Sequence, residues 1–193
     1  KFRMGLFEEP GFSSPAGITT IISCKAHQDL NLRASQESLV LLRNNPAPTA
    51  SHPSLSTARA VLPLASASAL SLAVVGPNAD NPLAQLGDWS LGSGQMTGPS
   101  GTEHPRQNIH TVLDGVREFL PQGWNLTAPD KADCVILVLG DSIDETGEGK
   151  STATLELLHG QTGLAQETMD RARNQGQAVV VVLINSKPLV LPP

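Results

Sequence analysis

Five ionisable residues crowd one short stretch of this 193-residue chain: Asp141, Asp144, Glu145, Glu148 and Lys150. They directly follow a continuous apolar run, Cys134 to Leu139, and its closing Gly140. A carboxyl group presented beside a buried strand can act as general acid and base, provided that it can reach a substrate held nearby. Glu148, set between Gly147 and Gly149, has the backbone freedom to do so. Taken alone, the pattern better describes a solvated loop whose acids balance Lys150.

The same residues invite a second chemistry, because Gly147-Glu148-Gly149-Lys150-Ser151-Thr152 after a strand resembles a phosphate cradle. The spacing rejects it: that motif needs a glycine five residues before the Gly-Lys-Ser, and position 144 is Asp. Asp141 either meets substrate or caps the following turn through backbone amides, and capping is the simpler role. Trp89 either lines the mouth of a pocket or packs against its own loop. Asn78 and Asp80 are expected to shape the turn after a strand. The histidines at 27, 52, 104, 110 and 159 form no pair at metal-ligand spacing, so no metal site is expected and these rings are expected to face solvent. Asn125-Leu126-Thr127 fits a glycosylation sequon, meaningful in a secreted eukaryotic protein.

Such residues need elements to hold them. Cys134 to Leu139 and Val179 to Ile184 are continuous and rich in β-branched residues, the pattern of parallel strands covered on both faces. A third strand is predicted over Leu70 to Val75, ended by Gly76-Pro77-Asn78. Helices are predicted over Ala26 to Arg43, along Ile109, Val112, Leu113, Val116 and Phe119, and more weakly along Leu164, Thr168 and Ala172. The Ala-, Ser- and Pro-rich stretch Ala47 to Ser68 has no period and reads as a loop or poorly ordered excursion, and Leu189 to Leu191 as the start of another strand. The fold class is therefore α/β, a mainly parallel sheet covered by helices on both faces in a flavodoxin-like sandwich. In such sheets ligands meet the loops that leave the carboxyl ends of the strands.

Composition narrows the function. With 13 Lys and Arg against 18 Asp and Glu, the net charge of -5 disfavours nucleic acid and anionic lipid as partners. No apolar run approaches the ~20 residues of a membrane helix, so no membrane partner is expected. Aromatic residues make up 3% and Tyr is absent, which argues against a stand-alone aromatic sugar-binding platform. Cys24 and Cys134 are too few for a disulfide framework, and Cys134 is expected as a buried thiol. The chain opens in mid-pattern at Lys1-Phe2-Arg3-Met4-Gly5-Leu6-Phe7, which reads as a piece of a longer chain.

Several motifs in order resemble one family. Lys1 to Glu8, Ala34-Ser35-Gln36-Glu37-Ser38-Leu39-Val40-Leu41-Leu42-Arg43-Asn44, Leu62-Pro63-Leu64, Ala73 to Asp80, Leu86-Gly87-Asp88-Trp89-Ser90, Thr111 to Val116, Val138-Leu139-Gly140 through Gly147-Glu148-Gly149, and Val179 to Leu189 resemble the C-terminal α/β sandwich domain of glycoside hydrolase family 3. The resemblance implies residues 1–24 as a linker after a catalytic barrel and 25–193 as a sandwich domain truncated at its C-terminus. It also implies the barrel of the same chain as partner, a retaining exo-acting β-glucosidase-like activity on oligosaccharides or β-glucosides, and no cofactor. A β-xylosidase-like member or a non-catalytic scaffold domain is the alternative, and the Gly87-Asp88-Trp89-Ser90 stretch favours the glucosidase branch. Glu148 matches the family's general acid/base. A secreted, periplasmic or cell-wall location suits the whole protein.

Two departures carry expectations of their own. Lys150-Ser151-Thr152 stand where the family usually has an Asp-Arg pair, which predicts loss of a loop-anchoring ion pair. The chain also passes from Asn125-Leu126-Thr127 almost directly to the strand at Cys134 without the family's extra helix. So short a crossover predicts a strained or reordered sheet, since parallel strands normally need about a dozen residues or more between them.

Overall fold

In the computed structural model, residues 1–7, 20–22, 24–47, 49–56, 59–64, 69–87, 90, 106 and 109–191 are described. The chain divides into two units, Lys1–Arg43 and Asn44–Pro193. In the first, a 3-10 turn at Phe2–Met4 precedes helix α1, Lys25–Glu37. Exposed ion pairs one turn apart, Lys25 with Asp29 and Arg33 with Glu37, line α1, and none of its residues is buried. The helix stops at Ser38 instead of continuing to Arg43. The Ser38 hydroxyl donates to the Ser35 carbonyl, a local bond that competes with the helical ladder, and Leu39 to Leu42 run on exposed without helix.

The second unit is built on strands β1 (Ser71–Val75), β2 (Asn125–Leu126), β3 (Cys134–Gly140) and β4 (Ala178–Ile184). All pairings are parallel and the order is β2-β1-β3-β4. Every residue of β3 is buried, which is why its sequence is unbroken by polar residues. Its side chains enter three core clusters, Val135 joining Ala73 and Ala132 in the smallest. Ile136 and Val138 pack with Leu72, Ala50 and Leu55, and with Val112 and Val116 of helix α3 (Val112–Glu118). Leu137 and Leu139 pack with Leu157 and with Ala165 of helix α4 (Gln161–Gln175). A short helix, α2 (Pro82–Leu86), is capped by the Asn81 side chain on the amides of Leu83 and Ala84.

Three further segments were open or differently expected from the sequence, and the first is the loop of the two alternatives. The 47–64 segment has no helix or strand among its described residues, yet it is packed: Ala50 and Leu55 are buried, and Ser51 donates its amide to the Gly176 carbonyl at 2.6 Å. The short crossover does not reorder the sheet. Strand β2 has two residues, paired at the level of Ser71 and Leu72, and β3 begins opposite Leu72, so the link 127–133 has no strand length to retrace. A 3-10 turn, Pro129–Lys131, carries it past the start of β1, where the Asp133 carboxylate accepts from the Ser71 amide and hydroxyl. Finally, Leu189 to Leu191 contributes one parallel bridge, Val190 to Glu156, and no strand.

Candidate active site

The strand order reverses direction between β1 and β3, and at that switch point the loops from their carboxyl ends diverge. Each strand closes on a glycine pressed against its neighbour. A Cβ on Gly76 would lie well under 3.0 Å from the Val138 carbonyl, and one on Gly140 equally close to that of Ile184. Both have positive φ, 111° and 138°, so the chain can turn away from the sheet there only because no side chain intervenes. Asn78, 2% exposed, donates its amide and its side-chain amide across the gap, to the Val138 and Asp141 carbonyls. Asn78 and Asp80, expected to shape the turn after β1, instead bond beyond it, the Asp80 carboxylate accepting from the Thr111 hydroxyl at the start of α3.

Beyond β3 the acidic loop sorts its carboxylates by burial. Asp141 is buried, with Oδ1 2.6 Å from Lys187 Nζ and Oδ2 accepting from the Ser186 amide at 3.0 Å. It therefore does cap backbone, but in the loop after β4 and not in its own next turn. Glu145 is also buried: Oε2 accepts from the Ser142 amide at 3.3 Å, and Oε1 is in close contact with His159 Nε2. His159 is exposed at its ring and tied at its tip, one residue before the glycine that opens α4. Asp144 and Glu148 are exposed. Glu148 lies with Gly147 and Gly149, both at positive φ, and Gly149 has open space where a side chain would be.

Lys150 makes a bond to backbone at this place: its Nζ donates to the Ile143 carbonyl at 2.6 Å, and its amide to the Gly147 carbonyl. Trp89 lies outside the described residues. A cavity of about 270 Å³ opens between α2 and the loops after β3 and β4, with Asp141, Ser142, Ile143, Thr146 and Ser186 in its wall and Glu148 outside it. Among the described residues, no group of three or more His, Cys, Asp or Glu side chains could hold a metal ion.

The loop Asn185-Ser186-Lys187-Pro188 was placeable from sequence at the carboxyl end of β4, but its bonds to Asp141, and the part taken by His159, were not expected, because each meets its acid only through the fold. The Asp141 and Lys187 pair joins residues 46 positions apart. Their common signal is position: Ser186 and Lys187 leave the carboxyl end of β4, as the acids leave that of β3.

Fold and loop together define an α/β domain whose parallel sheet carries an acidic, partly self-bonded loop at its carboxyl edge. The glycosyl hydrolase family 3 C-terminal domain matches residues 39–193, and the chain belongs to that family. It is 28% identical over 98% of its length to a beta-xylosidase of Formosa agariphila, and 25% identical over 99% to a periplasmic beta-glucosidase of Salmonella typhimurium. It spans 25% and 27% of those two proteins. Among solved structures, a β-glucosidase involved in saponin metabolism from intestinal bacteria matches the whole chain with a TM-score of 0.82 and 33% identity, and the chain covers 29% of it.

Proposed function

We propose that this domain supplies the general acid/base of a retaining exo-β-glycosidase acting on terminal β-glucosyl residues, and that Glu148 is that group. The reading rests on one observation: Glu148 is the exposed glutamate of a loop at the carboxyl edge of the sheet, flanked by glycines and held at both ends, in a chain of this family. Asp141 and Glu145 are buried, and Glu148 is exposed.

In a retaining mechanism two carboxyl groups stand about 5–5.5 Å apart on opposite sides of the scissile bond. Glu148, in its acid form, donates a proton to the glycosidic oxygen as the aglycone leaves and a glycosyl ester forms on the nucleophile. As carboxylate it then takes a proton from the water that releases the sugar. The nucleophile and the sugar pocket belong to the barrel of the same longer chain. The domains reading follows, with residues 1–24 as the connection from that barrel and 25–193 as the sandwich. Trp89 and Asp141 are proposed to border the substrate, Asp141 through the loop it steadies. The β-xylosidase named among the relatives favours a second reading of the sugar, with a pentose in place of glucose.

In the enzyme containing both domains, Glu148→Gln is expected to lower kcat on an aryl β-glucoside by about 10²- to 10⁴-fold, with partial rescue by azide, which needs no general base. Unchanged turnover removes Glu148 from the mechanism. Parallel assays on aryl β-xylosides decide the sugar.

A further inference from the structure

We infer that Lys150 and Glu145 are positioning residues that close the loop around Glu148 and fix where its carboxyl group is presented. The inference rests on the acid/base reading of Glu148. Gly147 and Gly149 leave the backbone on either side of Glu148 with little preference of its own, so something else must define its place. The structure supplies two fixed points. On one side, the buried Glu145 carboxylate accepts from the Ser142 amide and contacts His159. On the other, the Lys150 ammonium reaches back across the loop to the Ile143 carbonyl at 2.6 Å, making residues 143 to 150 a closed ring.

The base of that ring is held from α4. Gln161, 5% exposed, donates to the Gly140 carbonyl at 2.8 Å and accepts from the Gly140 amide at 3.0 Å, so β3 leaves the sheet at a fixed point. His159 and Gln161 stand two residues apart at the start of α4, so one element secures the loop at its root and again at Glu145. The ring leaves the tip, Gly147-Glu148-Gly149, as its exposed part. A general acid gains most of its effect from correct placement, and a misplacement of about 1 Å costs up to ~10²-fold in rate. Lys150 thus does by a charge-assisted bond to backbone what the missing Asp-Arg pair would do between side chains.

A double-mutant cycle in the enzyme containing both domains tests this. Lys150→Ala is expected to lower kcat about 10-fold or more with KM changed less than about twofold, and Lys150→Arg, which keeps a cationic donor, to recover most of the loss. In the Glu148→Gln background, Lys150→Ala should cost less than about twofold, because its effect passes through a carboxyl group already removed. Glu145→Gln, which keeps the size and an acceptor for Ser142 but removes the charge facing His159, should behave in the same way and guards against a Lys150 variant that fails to fold. Equal losses in the two backgrounds, or a loss carried wholly by KM, would overturn the positioning roles while leaving Glu148 in place. If Glu148→Gln itself turns over normally, the acid/base reading falls, and the positioning inference falls with it.

Discussion

Carboxylates of one short loop end in different surroundings here, and burial with specific donors separates them. Asp141 and Glu145 are closed off by Lys187, Ser186, Ser142 and His159, while Glu148 is presented to the outside. A third arrangement, at the start of α3, has a consequence for pH. Asp114 completes a capping box with Thr111, and Arg106 Nη2 donates to it at 2.7 Å. The Arg106 bond first, and the Thr111 amide second, bring its pKa from 3.8 down to about 2. A carboxyl group more acidic in the folded than in the unfolded chain adds stability that is complete above its unfolded pKa and disappears as pH falls through the folded one. Thermal midpoints of the native chain are therefore expected to decline between about pH 4 and pH 2, and Asp114→Asn to flatten that part of the curve while lowering the midpoint at neutral pH. Parallel curves for the two proteins would show that the Arg106 contact contributes nothing. Because Asp114 is solvated, the shift in midpoint should be small and should shrink as salt is added.

At the level of elements, the glycine that ends β3 and a glycine of the loop after it are not equivalent. Gly140→Ala would drive a methyl group into the Ile184 carbonyl between two hydrogen-bonded strands, at a φ of 138°. That combines overpacking with backbone strain, and a loss of more than about 4 kcal/mol, read as a fallen urea midpoint or insoluble protein, is expected. Gly149→Ala, at φ 76° in open space, has only the left-handed backbone to resist it and should cost about 1–2 kcal/mol or less. Similar costs at the two positions would mean that the close strand approach is not what selects glycine. Strand β3 was readable in advance because burial of every residue leaves a long unbroken apolar run; β4 has as long a run but is only partly buried, with Val181 exposed, so its expected cover on both faces is not met, and α4 was readable through Thr168 and Ala172, both buried. Strand β2 was not, because two residues, Asn125 and Leu126, cannot display a period; they are a strand only because β1 offers them an edge. The end of α1 was misjudged for a related reason: Leu41 continues the helical spacing of Ala26, Leu30 and Ala34, but spacing cannot reveal that Leu39 to Leu42 lie exposed and outside the helix. Likewise Asp141 was legible as a cap, while its partner 45 positions away, Ser186, was supplied by the pairing of β3 with β4. For the site, Glu148 stood out by its glycines and by family resemblance, whereas the Lys150 to Ile143 closure depends on how the loop folds back on itself.

For the whole molecule, the proposed role of Glu148 makes one exposed carboxyl group a small part of a glycosidase. The described cavity beside the loop does not include Glu148, and the chain spans about a quarter of the curated relatives it matches. Holding substrate against oriented groups is worth roughly 7–11 kcal/mol of a barrier, and a nucleophile that forms the covalent intermediate adds more. A surface glutamate without either has only its own proton to offer, as does any dissolved carboxylic acid. The 193-residue chain on its own is therefore expected to hydrolyse an aryl β-glucoside no faster than buffer containing the same concentration of acetate, and its Glu148→Gln variant to be indistinguishable from it. The measurement is a long incubation at high protein concentration with both proteins side by side. A rate above buffer that disappears with Glu148→Gln would show that this domain carries a nucleophile and a sugar site of its own. Equality of the two proteins, set beside a large effect of the same substitution in the enzyme containing both domains, would locate the catalytic advantage in the meeting of the loop with the barrel.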